Sequence, residues 1–215
     1  MIKYFKPLTK DQHDEIIDVY NAEEKDVKPW RKGASYKRAY AVVRDYVSEN
    51  LGHENWECNS GNFFETLYPY RLHADTTTTE SNYQNIVFPL SYDHEEDAAL
   101  DQNVLYIFKQ MWYKEGTMFL KGSPPSKEGS RHNTETREYS TVTNIEEGYI
   151  DKVTAADCDH LPTENFEGMS VAAKMLWEPG KPFTFSRNAI HCSNNWHRIG
   201  IKSKLGLSLF TRSTS

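Results

Sequence analysis

From residue 56 onward the chain breaks into short runs of aromatic, β-branched and apolar residues, most of them separated by turn residues. The runs cover 62–69, 70–75, 83–90, 104–110, 140–144, 172–177, 183–186 and 204–211. Eight short strands at such spacing predict a sandwich or barrel, and a double-sheet jelly roll has eight. The first 55 residues have a different texture. Thr9 and Gln12 are spaced as a capping box, in which each side chain satisfies an orphan amide of the other residue, and Ile16, Ile17, Val19 and Tyr20 follow at helical spacing. Pro29 and Gly33 interrupt that pattern. A second helix is predicted from about Ser35, with Tyr36, Ala39, Tyr40, Val43, Val47 and Leu51 forming an apolar stripe and Gly52 placed as its C-terminal cap.

Helices first and strands after predict a mainly β fold with N-terminal helices packed against one side of it. At 215 residues the chain reads as a single domain: residues 1–55 as helical support, and 56–215 as a jelly-roll core. An extended loop interrupts that core near 121–138. The stretch Lys121 to Ser130 is small, polar and proline-bearing, and it fits either a plain connection or a lid.

Net charge is −6, which disfavours a general nucleic-acid surface. The cysteines number three, Cys58, Cys158 and Cys192, and none forms a C-x-x-C pair; this argues against a disulfide framework and for a reducing compartment. The first residues carry no apolar core of signal-peptide length, and no stretch approaches a membrane span. A cytoplasmic protein without a membrane partner is the expectation. No glycine-rich phosphate loop and no G-x-S-x-G elbow occurs.

The chemistry-bearing residues lie far apart in the sequence. Tyr70-Arg71-Leu72-His73-Ala74-Asp75 places a His-x-Asp at the end of a β-like run, and on a strand residues i and i+2 point to one face. A His-x-Asp by itself also fits a surface pair at a strand end. The second segment has a readable plan: Glu178-Pro179-Gly180 turns the chain, Phe183-Thr184-Phe185 forms an aromatic strand, Arg187-Asn188 turns again, and Ile190 precedes His191. Two imidazoles and one carboxylate can occupy one face of an octahedral metal and leave three positions open, the donor set of non-haem Fe(II) oxygenases. A zinc site from His191, Cys192 and His197 is disfavoured, because adjacent strand residues face opposite ways. The acidic run Asp93 to Asp97 reads as a solvated loop, and His132 and His160 have no partner at a telling spacing.

This combination resembles the Fe(II)- and 2-oxoglutarate-dependent oxygenase superfamily over roughly residues 60–212. The Tyr-x-x-His-x-Asp form at Tyr70 to Asp75 is similar to its prolyl-hydroxylase-like and phytanoyl-hydroxylase-like branches. The resemblance implies a double-stranded β-helix with His73, Asp75 and His191 as iron ligands. It also implies 2-oxoglutarate and O2 as co-substrates: the former is decarboxylated to succinate while a second substrate is oxidised, usually by hydroxylation. A basic residue on the last strand then holds the far carboxylate of 2-oxoglutarate. Where the family commonly has Arg-x-Ser, this chain has Lys204-Leu205-Gly206. Lys202 lies on the same strand face and Arg198 in the preceding turn. Lys204 comes first, because Lys204, Gly206 and Ser208 face one way while Leu205, Leu207 and Leu209 face the other. Tyr70 is a further candidate for the co-substrate, through its phenol. Two rival readings stand beside this one: a cupin-like jelly-roll metalloenzyme that does not use 2-oxoglutarate, and a non-enzymatic jelly-roll binding module. The primary substrate, a small molecule or a peptidyl residue, is not legible.

Overall fold

The computed structural model describes residues 2–52, 55–75, 83–111, 156–166 and 169–214. Two sheets form its framework. The elements of the first half are β1 (Lys3–Tyr4), α1 (Lys10–Ala22), β2 (Asp26–Lys28), β3 (Arg31–Ala34), α2 (Lys37–Leu51), β4 (Trp56–Thr66) and β5 (Tyr83–His94). There follow β6 (Val104–Met111), β7 (Val171–Leu176), β8 (Phe183–Ser186), β9 (Ala189–Ser193) and β10 (Ile201–Ser213). The larger sheet has the order β1-β8-β5-β10-β4-β3-β2, and the smaller has β7-β6-β9. All pairings between these strands are antiparallel.

Both expected helices form. Thr9 caps α1 with both bonds of the capping box, and Gly52 closes α2 in the left-handed region at φ 80°. Each helix buries one stripe, Ile16, Val19 and Tyr20 from α1 and Ala39, Val43, Tyr46 and Val47 from α2. These pack on one face of the larger sheet, against Phe63 of β4, Ile86, Phe88 and Leu90 of β5, and Leu205, Leu207 and Leu209 of β10. Full burial of a leucine side chain contributes about 1.5–3 kcal/mol, so this interface anchors the central strand. The alternation of β10 then turns Lys204, Ser208 and Phe210 to the opposite face, where a cavity opens.

Several boundaries differ from expectation. The 26–34 stretch, read as a break, is the β2–β3 hairpin, which extends the sheet edge beside β4. Arg187–Asn188 forms the turn the sequence indicates, but the stretch after it, read only as leading to a lone His, is β9 and pairs with β6. Conversely, 70–75 forms no regular strand: its sheet contact is a single antiparallel bridge at His73. The 140–144 run and the 121–138 loop lie outside the described residues. No helix among the described residues is long and apolar enough to cross a membrane.

Candidate metal centre

His73 and His191 meet through their backbones. His73 N donates to His191 O at 3.0 Å and His191 N donates to His73 O at 2.8 Å. Residues directly opposite in an antiparallel pair project to the same side, and the two imidazole centroids lie 4.1 Å apart. Asp75, two residues on, is held by a reciprocal pair: its backbone N donates to Arg187 O at 3.1 Å, and Arg187 Nη2 donates to its carbonyl at 3.1 Å. The carboxylate therefore sits between the rings. Its Oδ1 lies 3.4 Å from His73 Nε2 and its Oδ2 lies 3.3 Å from His191 Nε2. One donor atom from each of the three residues falls within 4.8 Å of the others.

The hydrogen bonds behind the rings set what these atoms offer. His73 Nδ1 lies 2.8 Å from the carbonyl of Arg71, and His191 Nδ1 lies 2.9 Å from that of Ala189. A carbonyl only accepts, so each Nδ1 carries a proton and each ring turns its Nε2 toward Asp75. Burial, with the neighbouring His73 ring second, pushes His191 down to about 4, so it is neutral at pH 7. Burial works to raise the Asp75 carboxyl, but the positive charge that His191 and His73 carry when protonated, with the hydrogen bonds from His73 and the Asn85 amide, outweighs it and holds the group well below the usual carboxylate range. Asn85 Nδ2 donates to Asp75 Oδ2 at 2.7 Å. Two imidazole Nε2 atoms and the ionised Asp75 carboxylate thus face one point. That is a cation's donor set, and imidazole with carboxylate suits a divalent transition metal.

The centre opens into a cavity of about 190 Å³ between the two sheets. Phe64, Tyr70, Trp177, Phe185, Trp196 and Phe210 supply much of its wall. Lys204 is the buried cation of this cavity, at 3% exposure. Its Nζ donates to Asn103 Oδ1 at 3.0 Å and lies 4.4 Å from the Trp177 ring centroid and 5.7 Å from that of Trp196. Burial drives its amine down to about 7. A lysine confined by two indoles and one amide has room for an anion as its next partner.

The other sequence candidates separate by position. Tyr70 lines the cavity, and its ring packs edge-on against His73 at 4.6 Å. Lys202 is exposed and lies outside the lining. Arg198 sits on the turn Trp196–Ile199, where it pairs with Asp159 at 3.1 Å and donates to Ala156 O at 2.9 Å. The fold does not bring it to the cavity, because β10 starts after this turn and only its inward positions point there. His197 is exposed, with Nε2 at 3.0 Å from Leu67 O. Cys192 is buried, and its thiol faces Cys158 at 3.9 Å rather than the metal centre.

Sequence reasoning missed Asn85, Arg187, Trp177 and Arg31. Asn85 had little signal: it follows Gln84 at the start of β5, just ahead of the apolar run Ile86-Val87-Phe88. Arg187 was read only as part of a turn, yet it is buried, with its guanidinium 5.4 Å from the Tyr83 ring and 4.6 Å from that of Phe210. Arg31 belongs to the unpredicted hairpin and so had no signal.

No protein-family model matches this sequence, and no curated protein matches it. Solved structures do. HygX from Streptomyces hygroscopicus, determined with nickel, 2-oxoglutarate and hygromycin B bound, aligns with a TM-score of 0.55 at 10% identity, covering 99% of this chain and 83% of its own. This chain shares its fold. The non-heme alpha ketoglutarate dependent epimerase SnoN, from nogalamycin biosynthesis, aligns with a TM-score of 0.52 at 7% identity, covering 99% of this chain and 77% of its own. At such identities the likeness concerns the fold alone; the chemistry rests on this chain's own side chains.

Proposed function

We propose that the chain is a non-haem Fe(II)- and 2-oxoglutarate-dependent oxygenase, a single domain whose two sheets act as a double-stranded β-helix. The reading is carried by one observation: the acceptor atoms of His73, Asp75 and His191 converge on the wall of a cavity that also holds the buried cation Lys204. HygX and SnoN lend support, as proteins of this fold whose structures contain 2-oxoglutarate or alpha ketoglutarate with a metal.

His73, Asp75 and His191 hold the iron, which when bound couples O2 reduction to decarboxylation of 2-oxoglutarate and oxidation of the primary substrate. Asn85 fixes the Asp75 carboxylate, and the two main-chain carbonyls behind the rings accept from Nδ1 and leave both Nε2 atoms directed at the metal position. Lys204 anchors the far carboxylate of 2-oxoglutarate, and Thr66, its register partner on β4, adds a hydroxyl on the same wall. Trp177 and Trp196 exclude water around that ion pair, which strengthens it. Tyr70 covers the His73 side of the metal centre. The primary substrate is a small molecule or a peptidyl side chain, and the outcome is hydroxylation. The buried cation favours this reading over a cupin-like enzyme without 2-oxoglutarate, which has no use for a carboxylate anchor.

Anaerobic Fe(II) titration tests the proposal. With 2-oxoglutarate present, a weak visible charge-transfer band is expected, followed by succinate formation on admitting air. Iron binding that ignores 2-oxoglutarate would favour the cupin-like reading. No metal binding at all would leave a binding module.

A further inference from the structure

The cavity contains a second cation that the co-substrate does not need. Arg31 lies on β3 in register with Thr66 of β4, and Thr66 is in register with Lys204 of β10. Arg31, Thr66 and Lys204 therefore form one row across three neighbouring strands, and all three line the cavity. Two strand spacings separate the two cationic residues, about 10 Å between Cα atoms. No carboxylate or carbonyl among the described residues pairs with the Arg31 guanidinium. This sets it apart from Arg187 on Asp75, Arg198 on Asp159 and Arg212 on Glu57.

We propose that Arg31 recognises an anionic group, a carboxylate or a phosphate, on the primary substrate, so that the enzyme acts on a small acid whose oxidised carbon lies toward His73, Asp75 and His191. The inference rests on the 2-oxoglutarate reading in one respect: Lys204 is taken by the co-substrate. A guanidinium is a planar fork that grips a carboxylate or phosphate with two parallel hydrogen bonds, and a half-buried one left unpaired is poised for such a ligand. The wall between Arg31 and the metal centre offers Phe64 and Tyr70 for an apolar body, with Asn62 and Ser208 as polar contacts. The small hydroxyl of Thr66 between the two cations keeps both within reach of the cavity, so one site holds two anions at separate ends.

The test uses Trp177 and Trp196 as intrinsic reporters in the full-length protein. The Ni(II)- and 2-oxoglutarate-loaded wild type is titrated with phenylacetate and, separately, with phenyl phosphate, following tryptophan fluorescence. Saturable binding of at least one probe is expected, with the stronger of the two naming the anion. Arg31→Gln should weaken it at least tenfold, and Arg31→Lys should recover part of the loss. The 2-oxoglutarate affinity of Arg31→Gln should stay within threefold of wild type, while Lys204→Met loses at least tenfold. Binding of neither probe to wild type, or equal probe binding by wild type and Arg31→Gln, would overturn the assignment. So would a co-substrate loss in Arg31→Gln as large as in Lys204→Met, which would make Arg31 the 2-oxoglutarate anchor instead. The same titration with and without metal separates the two ideas: Arg31-dependent probe binding by metal-free protein, with no 2-oxoglutarate response in the Ni(II)-loaded wild type, would refute the oxygenase reading and leave the anion site standing.

Discussion

His73 and His191 exchange both of their main-chain hydrogen bonds, at 3.0 and 2.8 Å, although they are distant in the sequence. One bridge therefore positions both imidazoles, and the metal centre depends on backbone register more than on side-chain packing. His191→Ala should abolish Fe(II)-dependent succinate formation and weaken metal binding at least a hundredfold, because two donors remain. His197→Ala should leave metal affinity within twofold, since that ring faces the Leu67 carbonyl outside the site. Calorimetric titration with Ni(II) measures both, and equal losses would contradict the assignment.

Asn85 orients Asp75 through a 2.7 Å bond to Oδ2. Groups that orient a metal ligand in this way affect metal affinity by about 10–100-fold. Asn85→Ala should weaken Ni(II) binding within that range without unfolding the protein. An unchanged affinity with a normal melting curve would show that the carboxylate needs no such support.

If Lys204 anchors the co-substrate as proposed, its binding depends on pH. Burial holds its amine at about 7, against an ordinary value of 10.5. Between those values the unfolded chain keeps a proton that the folded chain has lost, so this group makes folding stability rise with pH across that window. A carboxylate needs the cation, so binding above pH 7 must take up a proton. The 2-oxoglutarate dissociation constant should therefore rise about fivefold from pH 7 to pH 8. Lys204→Met should bind at least tenfold more weakly with a flat profile, and Lys202→Ala should match wild type. A flat wild-type profile in the charge-transfer titration would remove Lys204 from the anchor role.

Gly206 faces the cavity between two aromatic rings. A Cβ there would lie 2.7 Å from Phe64 Cζ and 2.9 Å from Trp177 Cη2, and those rings pack edge to face at 5.9 Å. Gly206→Ala should destabilise the protein by about 1–3 kcal/mol, the usual effect of overpacking. It should also weaken 2-oxoglutarate binding, because Trp177 would have to move off Lys204. Urea denaturation and the co-substrate titration read the two effects separately.

The helices were legible in the sequence because their determinants are local. Thr9 and Gln12 form a capping box within one turn, and Gly52 ends α2 without a partner outside it. The inward face of β10 was legible for a similar reason. Its leucines alternate with Lys204, Gly206 and Ser208, and a period of two determines which residues share a side. His73, Asp75 and His191 could be named from residue type and spacing. Arg198 could be named too, yet it ends on an exposed turn paired with Asp159. Nearness to His191 in the sequence says nothing about which way a turn residue points.

By itself the sequence determined the capped helices, the alternation that buries one face of β10, and a donor set suited to iron. Each of these follows from residue type and short-range periodicity. Only the tertiary structure decided that His73 bridges His191 without a strand around it, and that Asn85 and Arg187 secure Asp75. It likewise decided that the β2–β3 hairpin carries Arg31 into the row of Thr66 and Lys204. These relationships are strand pairings and hydrogen bonds between residues distant in the chain, and such register is a property of the assembled sheets that no local window encodes.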